Sequence, residues 1–386
     1  MPSTQQLSRF VRQIKTSADD LIHNRISARR CFTVSGDPPR MVAPAWKSAG
    51  NPPKNFSSFN DLGTQGYNKN IYKAIAHADT PAMVVGNLGC AHIVEVVDPS
   101  RGHRYGILDH RERVVRLGGT EYGAQHQAVW NQQQTEHRNG GAWFMDPWFG
   151  NYYHWLIYSL PRVIAINESG YKEPLILPAW IPGSDYIRAS LGFLGHEIES
   201  IQRLSSPVTT FNRLIVADGG FPSPHLFARL RSKIISHTSS CTTAKTLGSK
   251  LYISRSGAAR RRINNESDVS QLCKNAGINA IKSEEFSFAQ QVQIFRNARL
   301  LVGMHGAGLA NMLWMEPGSH VIEISGSREV FPHYYQLALT LGHHYWLVKS
   351  SPSEQMKPIG QKHESDYEVD IQELEAMIQM AVRDQS

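Results

Sequence analysis

Leu300–Glu323 reads LLVGMHGAGLANMLWMEPGSHVIE. The apolar run LLVG enters a Gly-rich turn, Gly303-Met-His-Gly-Ala-Gly308, a helix is expected directly after it, and HVIEIS supplies the next strand. Strand, turn, helix and strand with nearly unbroken apolar runs is the pattern of a parallel sheet covered on both faces. Small residues let a phosphate approach the backbone. The N-terminus of the following helix adds unpaired N–H groups and a partial positive charge, worth about 0.3–1 kcal/mol per exposed anion contact. The dinucleotide fingerprint GxGxxG is not met, because Asn311 stands where its third glycine would be. The segment therefore reads either as a phosphate site built from His305, Gly306, Ala307, Gly308 and Asn311, or as a tight strand–helix turn. His305 is suited to donate to a phosphate oxygen or to cap the turn. Glu323, at the end of the next strand, is suited to hold a ribose diol or to face solvent.

Upstream, the alternation continues. LYISR reads as a strand, SDVSQLCKNAG as a helix closing at Gly277, and INAIK as a strand. Ser287 and Gln290 have capping-box spacing ahead of a helix that carries Phe288, Val292 and Phe295 on one face. Within Tyr252–Glu266 (YISRSGAARRRINNE), Arg255 leaves a strand and Arg260, Arg261 and Arg262 follow a small-residue loop. Guanidinium groups bind diphosphates bidentately and stay charged. Three successive arginines cannot all face one pocket, so at least one is expected in solvent. A plain charged surface and a nucleic-acid patch are the competing readings, the latter without interleaved aromatics or a recognition helix.

Trp143–Arg162 is WFMDPWFGNYYHWLIYSLPR, and eight of the sixteen residues from Trp143 to Tyr158 are aromatic. Aromatic faces suit sugar rings as well as core packing. Asn151 is an expected N-cap, which puts His154 on the first turn of a helix, where the dipole lowers an imidazole pKa and favours a general base. Asp146 could orient His154 or act as base itself; a structural histidine is the alternative.

The 386 residues suggest about two domains. The divisions expected are an irregular extension over 1–80, an α/β domain over 81–243, a nucleotide-binding Rossmann-like domain over 244–350 and an acidic terminal helix over 351–386. AMVVG, AHIVEVV and RYGIL are β-rich, and DHRE at 109–112 marks a hairpin; LILP, RLIVAD and the helices between and after them imply a parallel sheet. The net charge is +7, yet Gly219–Asn265 alone holds nine Lys/Arg and no Asp or Glu, so the basicity is local and favours a small anionic ligand over nucleic acid. Four cysteines with no CxxC spacing argue against a metal ribbon or a disulfide scaffold and for a reducing compartment. No apolar run reaches the ~18 residues of a membrane span, and MPSTQQLSRFVRQIK lacks an apolar leader core, so a cytoplasmic chain is expected. The basic first 50 residues leave a peripheral contact with the inner membrane face open. GxSxG, GxxxxGK[ST], HExxH and an acidic DxD before a glycine loop are all missing, so no bound metal is expected.

At three segments the sequence resembles glycosyltransferase family 61: NYYHWLIYSLPR at 151–162, YISR with RRINNE through 266, and GMHGAGLANMLWMEPGSHVIEIS at 303–325. The resemblance implies an α/β fold of the GT-B type, two Rossmann-like domains facing a central cleft. It also implies transfer from a nucleotide sugar, UDP-linked, to a hydroxyl of a glycan or glycolipid, with inversion, in bacterial capsule or surface polysaccharide assembly. The matching positions are His154, Arg255, Arg261, Arg262, His305 to Gly308 and Glu323. No cofactor beyond the nucleotide-sugar co-substrate is expected. A nucleotide-sugar epimerase and a non-catalytic nucleotide- or glycan-binding component are the alternatives.

Overall fold

The structure is a computed structural model that describes residues 25–34, 37–48, 50, 53–55, 74–99, 102–117, 120–132, 135–181, 183–238, 247–257, 261–326, 332–352 and 366–384. Arg260, Cys241 and the basic residues before Arg25 lie outside them. It is an α/β protein with two principal sheets.

The C-terminal sheet has six strands. Their spatial order is Asn279–Ile281, Lys250–Ile253, Leu300–Met304, His320–Gly326, His344–Pro352 and Tyr367–Val369, or 2-1-3-4-5-6 in order of appearance. The first five are parallel and the last pairs antiparallel. The central strands Leu300–Met304 and His320–Gly326 are buried along their whole length, as the apolar wording requires. Helices Glu266–Asn275, Phe288–Asn297 and His333–Leu341 make the crossovers. Ser287 and Gln290 form the expected capping box, and Gly277 turns the chain at φ +69 after the helix before it. In this order the chain leaves the first strand one way and the third strand the other. The crevice between Ile253 and Met304, at the carboxyl ends, is therefore the topological switch point where such sheets take ligands.

The N-terminal sheet is mixed: the parallel sheet read from the segments beyond Gly140 is joined by a larger antiparallel part. Met83–Asn87 and Ala91–Asp98 run in line, antiparallel to one edge of Val208–Asp218. Gly102–Asp109 and then Val114–Arg116 continue the antiparallel order outward. The reason is connection length: three residues between Asp98 and Gly102 cannot carry a parallel crossover, which needs a dozen or more. The expected hairpin is present. Asp109 closes its turn by accepting from the Arg111 and Arg113 amides (3.0 and 2.8 Å). Arg25–Ser27 and Arg40–Ala43, from the stretch read as irregular, also join this sheet. Parallel pairing appears on the other edge of Val208–Asp218, where Glu136–Trp143 lies in register from Thr209↔Glu136 to Val216↔Trp143. This strand delivers the chain into the loop that carries Asp146.

The two halves share one apolar core, which joins Trp155, Leu156 and Leu160 of the N-terminal half to Ile253, Leu313 and Trp314 of the C-terminal half. Among the described residues Cys31, Cys90 and Cys273 are free, and no helix is long and apolar enough to cross a membrane.

Two buried histidines make stability depend on pH. Desolvation, then the charge of His344, pushes the His320 pKa down to about 4. Desolvation likewise puts His343 at about 4, although its Nε2 donates to the Met312 carbonyl (3.0 Å). The unfolded chain binds these protons near pH 6.5 and the fold only near pH 4, so stability rises with pH across that window and is lost as pH falls through it. Urea unfolding should show a loss of roughly 2 kcal/mol per histidine between pH 7 and about 4.5. The His343→Gln variant should lose less over the same interval, and an equal loss in it would assign the effect elsewhere.

Candidate active site

The loop after Trp143 and the first turn of the next helix hold one group. Asn151 caps that helix by accepting from the Tyr153 amide (2.9 Å), as its position predicted. His154 Nδ1 then lies 2.6 Å from Asp146 Oδ1, with His154 about one quarter exposed and Asp146 nearly buried. An ionised Asp146 can only accept, so the imidazole proton sits on Nδ1 and Nε2 carries the lone pair. Arg162, buried behind, is close enough to Asp146 for their charges to interact, while burial lowers its own pKa. Trp155–Ser159, immediately after His154, is a π turn inside the helix. Pro161 explains it: with no N–H to donate and a ring that crowds the carbonyl four residues back, it cannot continue an α-helical ladder.

The second group lies at the switch point. The Arg255 amide and the Ser254 hydroxyl donate to Glu266 Oε1 (3.1 and 2.6 Å), which fixes the strand end. Arg255 Nε donates to the Arg261 carbonyl (2.9 Å), and Arg261 Nη1 donates to the His305 carbonyl (2.9 Å). Arg261 adopts φ +54, a left-handed conformation that costs a non-glycine residue of order 1–2 kcal/mol and turns its side chain to the glycine turn. Desolvation, and then the Arg261 charge, lowers the Arg255 pKa. Two half-buried like charges of this kind are relieved by an anion between them. Gly306 lets Arg255 come close: a Cβ there would sit 2.8 Å from Arg255 Nη1.

His305 forms a second histidine–carboxylate pair. Its Nδ1 is 2.5 Å from Glu323 Oε1, and Tyr345 donates its hydroxyl to Glu323 Oε2 (2.6 Å). Glu323 is completely buried, so the expected ribose contact is corrected: both of its oxygens are already engaged, and it orients His305. The two groups meet through rings. His154 packs on Tyr153 (centroids 5.4 Å), Tyr153 on Tyr334 (5.2 Å), and Tyr334 on His305 (4.9 Å). His333 stands beside Tyr153 (6.3 Å); desolvation, and then the charges of His305 and His154, push its pKa down to about 4.

Three further expectations are corrected. Arg262 turns out to solvent, where its Nε and Nη2 donate to Asp366 Oδ2 (3.1 and 2.8 Å) and its amide to Oδ1 (2.9 Å). The crowding argument asked for at least one arginine in solvent, and Arg262 meets it. Asn311 is fully buried away from the crevice. Its Oδ1 accepts from the Tyr152 hydroxyl (2.8 Å) and its Nδ2 donates to Gln291 Oε1 (3.1 Å), so it ties the His154 helix to the C-terminal half. The segment after the turn, Ala307–Trp314, is a 3-10 helix and not an α-helix. By the rule for helix ends its first amides, those of Ala307 and Gly308, have no carbonyl partner within the helix.

Tyr334, His333, Tyr345 and Glu266 were not singled out from the sequence. HYY at 333–335 repeats the composition of YYH at 152–154 and was the available signal. At the far end of the same strands His320, His344 and Asp384 lie with ligand atoms within 4.8 Å of one another. That cluster does not suit a metal. Trp346 Nε1 donates to His320 Nδ1 (3.1 Å), which leaves the proton on Nε2, and Lys54 pairs with Asp384 (2.8 Å).

An arginine pair at the switch point can hold a diphosphate, and a histidine–aspartate pair joined to it through rings can take up a proton. The glycosyltransferase 61 family model matches residues 152–322, a span that takes in His154, Arg255, Arg261 and His305, and this match marks the chain as a glycosyltransferase. No curated protein matches the chain significantly.

Proposed function

We propose that the chain is an inverting, metal-independent glycosyltransferase that moves a sugar from a UDP-linked donor to a hydroxyl of a glycan or glycolipid. The observation that carries this reading is the pairing of His154 with Asp146, joined through the rings of Tyr153, Tyr334 and His305 to the Arg255–Arg261 pair. Arg255, Arg261 and the amides of Gly306, Ala307 and Gly308 hold the diphosphate and neutralise it as it leaves, work done by a metal elsewhere. As the imidazolium, His305, held by Glu323 through Nδ1–H, donates Nε2–H to a phosphate oxygen. The acceptor oxygen attacks C1, the C1–O bond to the diphosphate breaks, and His154 Nε2 receives the hydroxyl proton. A single displacement of this kind inverts the anomeric centre. The halves facing this crevice are read as a GT-B-like pair, with 244–350 on the donor side. Surface polysaccharide assembly at the cytoplasmic membrane face is the setting that the sequence resemblance supports.

Thermal melting in the absence of magnesium tests the donor class. UDP at about a hundred times its Kd should raise Tm by roughly 3 °C, with no further gain from magnesium. A shift that requires magnesium, or none with any UDP-sugar, would sink the reading.

A further inference from the structure

We propose that Trp148 is the platform for the acceptor sugar, a pyranose ring stacked on its indole with one hydroxyl turned to His154. This rests on the transferase reading above and adds to it the subsite that selects the acceptor. Among the described residues only five large apolar side chains are exposed, and Trp148, at 44%, is the most exposed aromatic one. Its ring centroid lies 6.4 Å from that of His154, close enough for one bound sugar to touch both.

The platform is built into the dyad. The Trp148 amide donates to Asp146 Oδ1 (2.9 Å), the same oxygen that lies 2.6 Å from His154 Nδ1. One carboxylate atom thus sets the position of both the base and the indole. Beneath the indole lies the Arg104 guanidinium, 3.9 Å from the ring centroid. Arg104 is only 4% exposed, donates Nη1 to the Pro147 carbonyl (2.7 Å) and faces Glu121 at 3.7 Å. Burying a guanidinium is costly unless it is well partnered, and here one partner is the indole face that it holds rigid. An exposed tryptophan made rigid beside a proton acceptor is what sugar recognition needs: a flat apolar face for the ring C–H groups at low entropic cost, with the hydroxyls left to polar neighbours. Trp180, the other exposed tryptophan, is held differently, stacked on His103 (4.5 Å) and donating to the Tyr105 hydroxyl (2.9 Å), and has no ring contact with His154 among the described residues.

The test uses the full chain labelled with 5-fluorotryptophan, its Trp148 signal assigned by loss in Trp148→Phe. A panel of methyl pyranosides is titrated in the presence of UDP, and the glycosides that bind are then used as acceptors in transfer assays. The expected result is a shifted Trp148 signal, with an acceptor KM raised roughly tenfold or more in Trp148→Ala, largely restored in Trp148→Phe, and a UDP Kd changed less than about twofold. Transfer that proceeds in Trp148→Ala with an unchanged acceptor KM overturns the platform and leaves the transferase reading standing. An acceptor KM and a UDP Kd that rise together also overturn it, since the residue would then act through the fold. Absence of transfer to any glycoside by the unaltered chain overturns both.

Discussion

His154→Ala should lower transfer turnover by about 10²–10⁴-fold at saturating donor, while UDP binding stays within about twofold. The size follows from the role. A positioned base removes the cost of expelling a free proton in the transition state. Asp146→Asn should produce a large part of the same loss. The amide can present either its oxygen or its NH2 to Nδ1, so the tautomer with a free lone pair on Nε2 is no longer enforced. The 2.6 Å contact between Asp146 Oδ1 and His154 Nδ1 makes this the sharper of the two variants, because it changes a proton position and little volume. Stopped assays with labelled donor read turnover directly. A loss of only a few-fold in His154→Ala would remove it from the base position.

Arg255→Ala should weaken UDP binding by about 10–100-fold, the value of one to two charge-assisted contacts of about 1.5–3 kcal/mol shared with Arg261. Arg255→Lys should restore little. An ammonium lacks the planar fork, and it cannot both reach the diphosphate and donate to the Arg261 carbonyl as Arg255 Nε does at 2.9 Å. Arg262→Ala serves as the contrast. Its guanidinium is spent on Asp366 at the surface, so calorimetry should give an unchanged UDP Kd. Equal losses in the Arg255 and Arg262 variants would show that the basic stretch acts as a diffuse charge and that no particular arginine holds the diphosphate.

Much of the C-terminal half was legible because local signals there agree with one another. The capping residues Ser287 and Gln290, the turn at Gly277 and the apolar runs at 250–253 and 300–303 each point to the same alternation. The His154–Asp146 contact was also within reach, since both residues flank a short loop and a recognisable N-cap. Glu323 was misread because its fate is decided by strands far away in sequence. A carboxylate at a strand position looks exposed until Tyr345, on the neighbouring strand, and His305, at the end of another, are found to close over it. The choice between Arg261 and Arg262 depends on a single positive φ, which residue type does not announce. Asn311 was assigned by its place in a motif, whereas its partners Tyr152 and Gln291 come from elements no motif connects. The antiparallel edge of the N-terminal sheet follows from a three-residue connection, a quantity visible in the sequence but outweighed there by the helical segments downstream.

The Tyr152–Asn311–Gln291 triangle and the apolar core around it also constrain how this enzyme could be rebuilt. The two halves are not interchangeable cassettes. A donor half grafted from a relative brings its own counterpart of Asn311 and of the Leu313–Trp314 surface, and must meet Tyr152, Trp155 and Leu160 in register. A graft boundary anywhere in 219–249 separates those partners, so the helix that carries His154 and the segment that carries Asn311 have to be exchanged together.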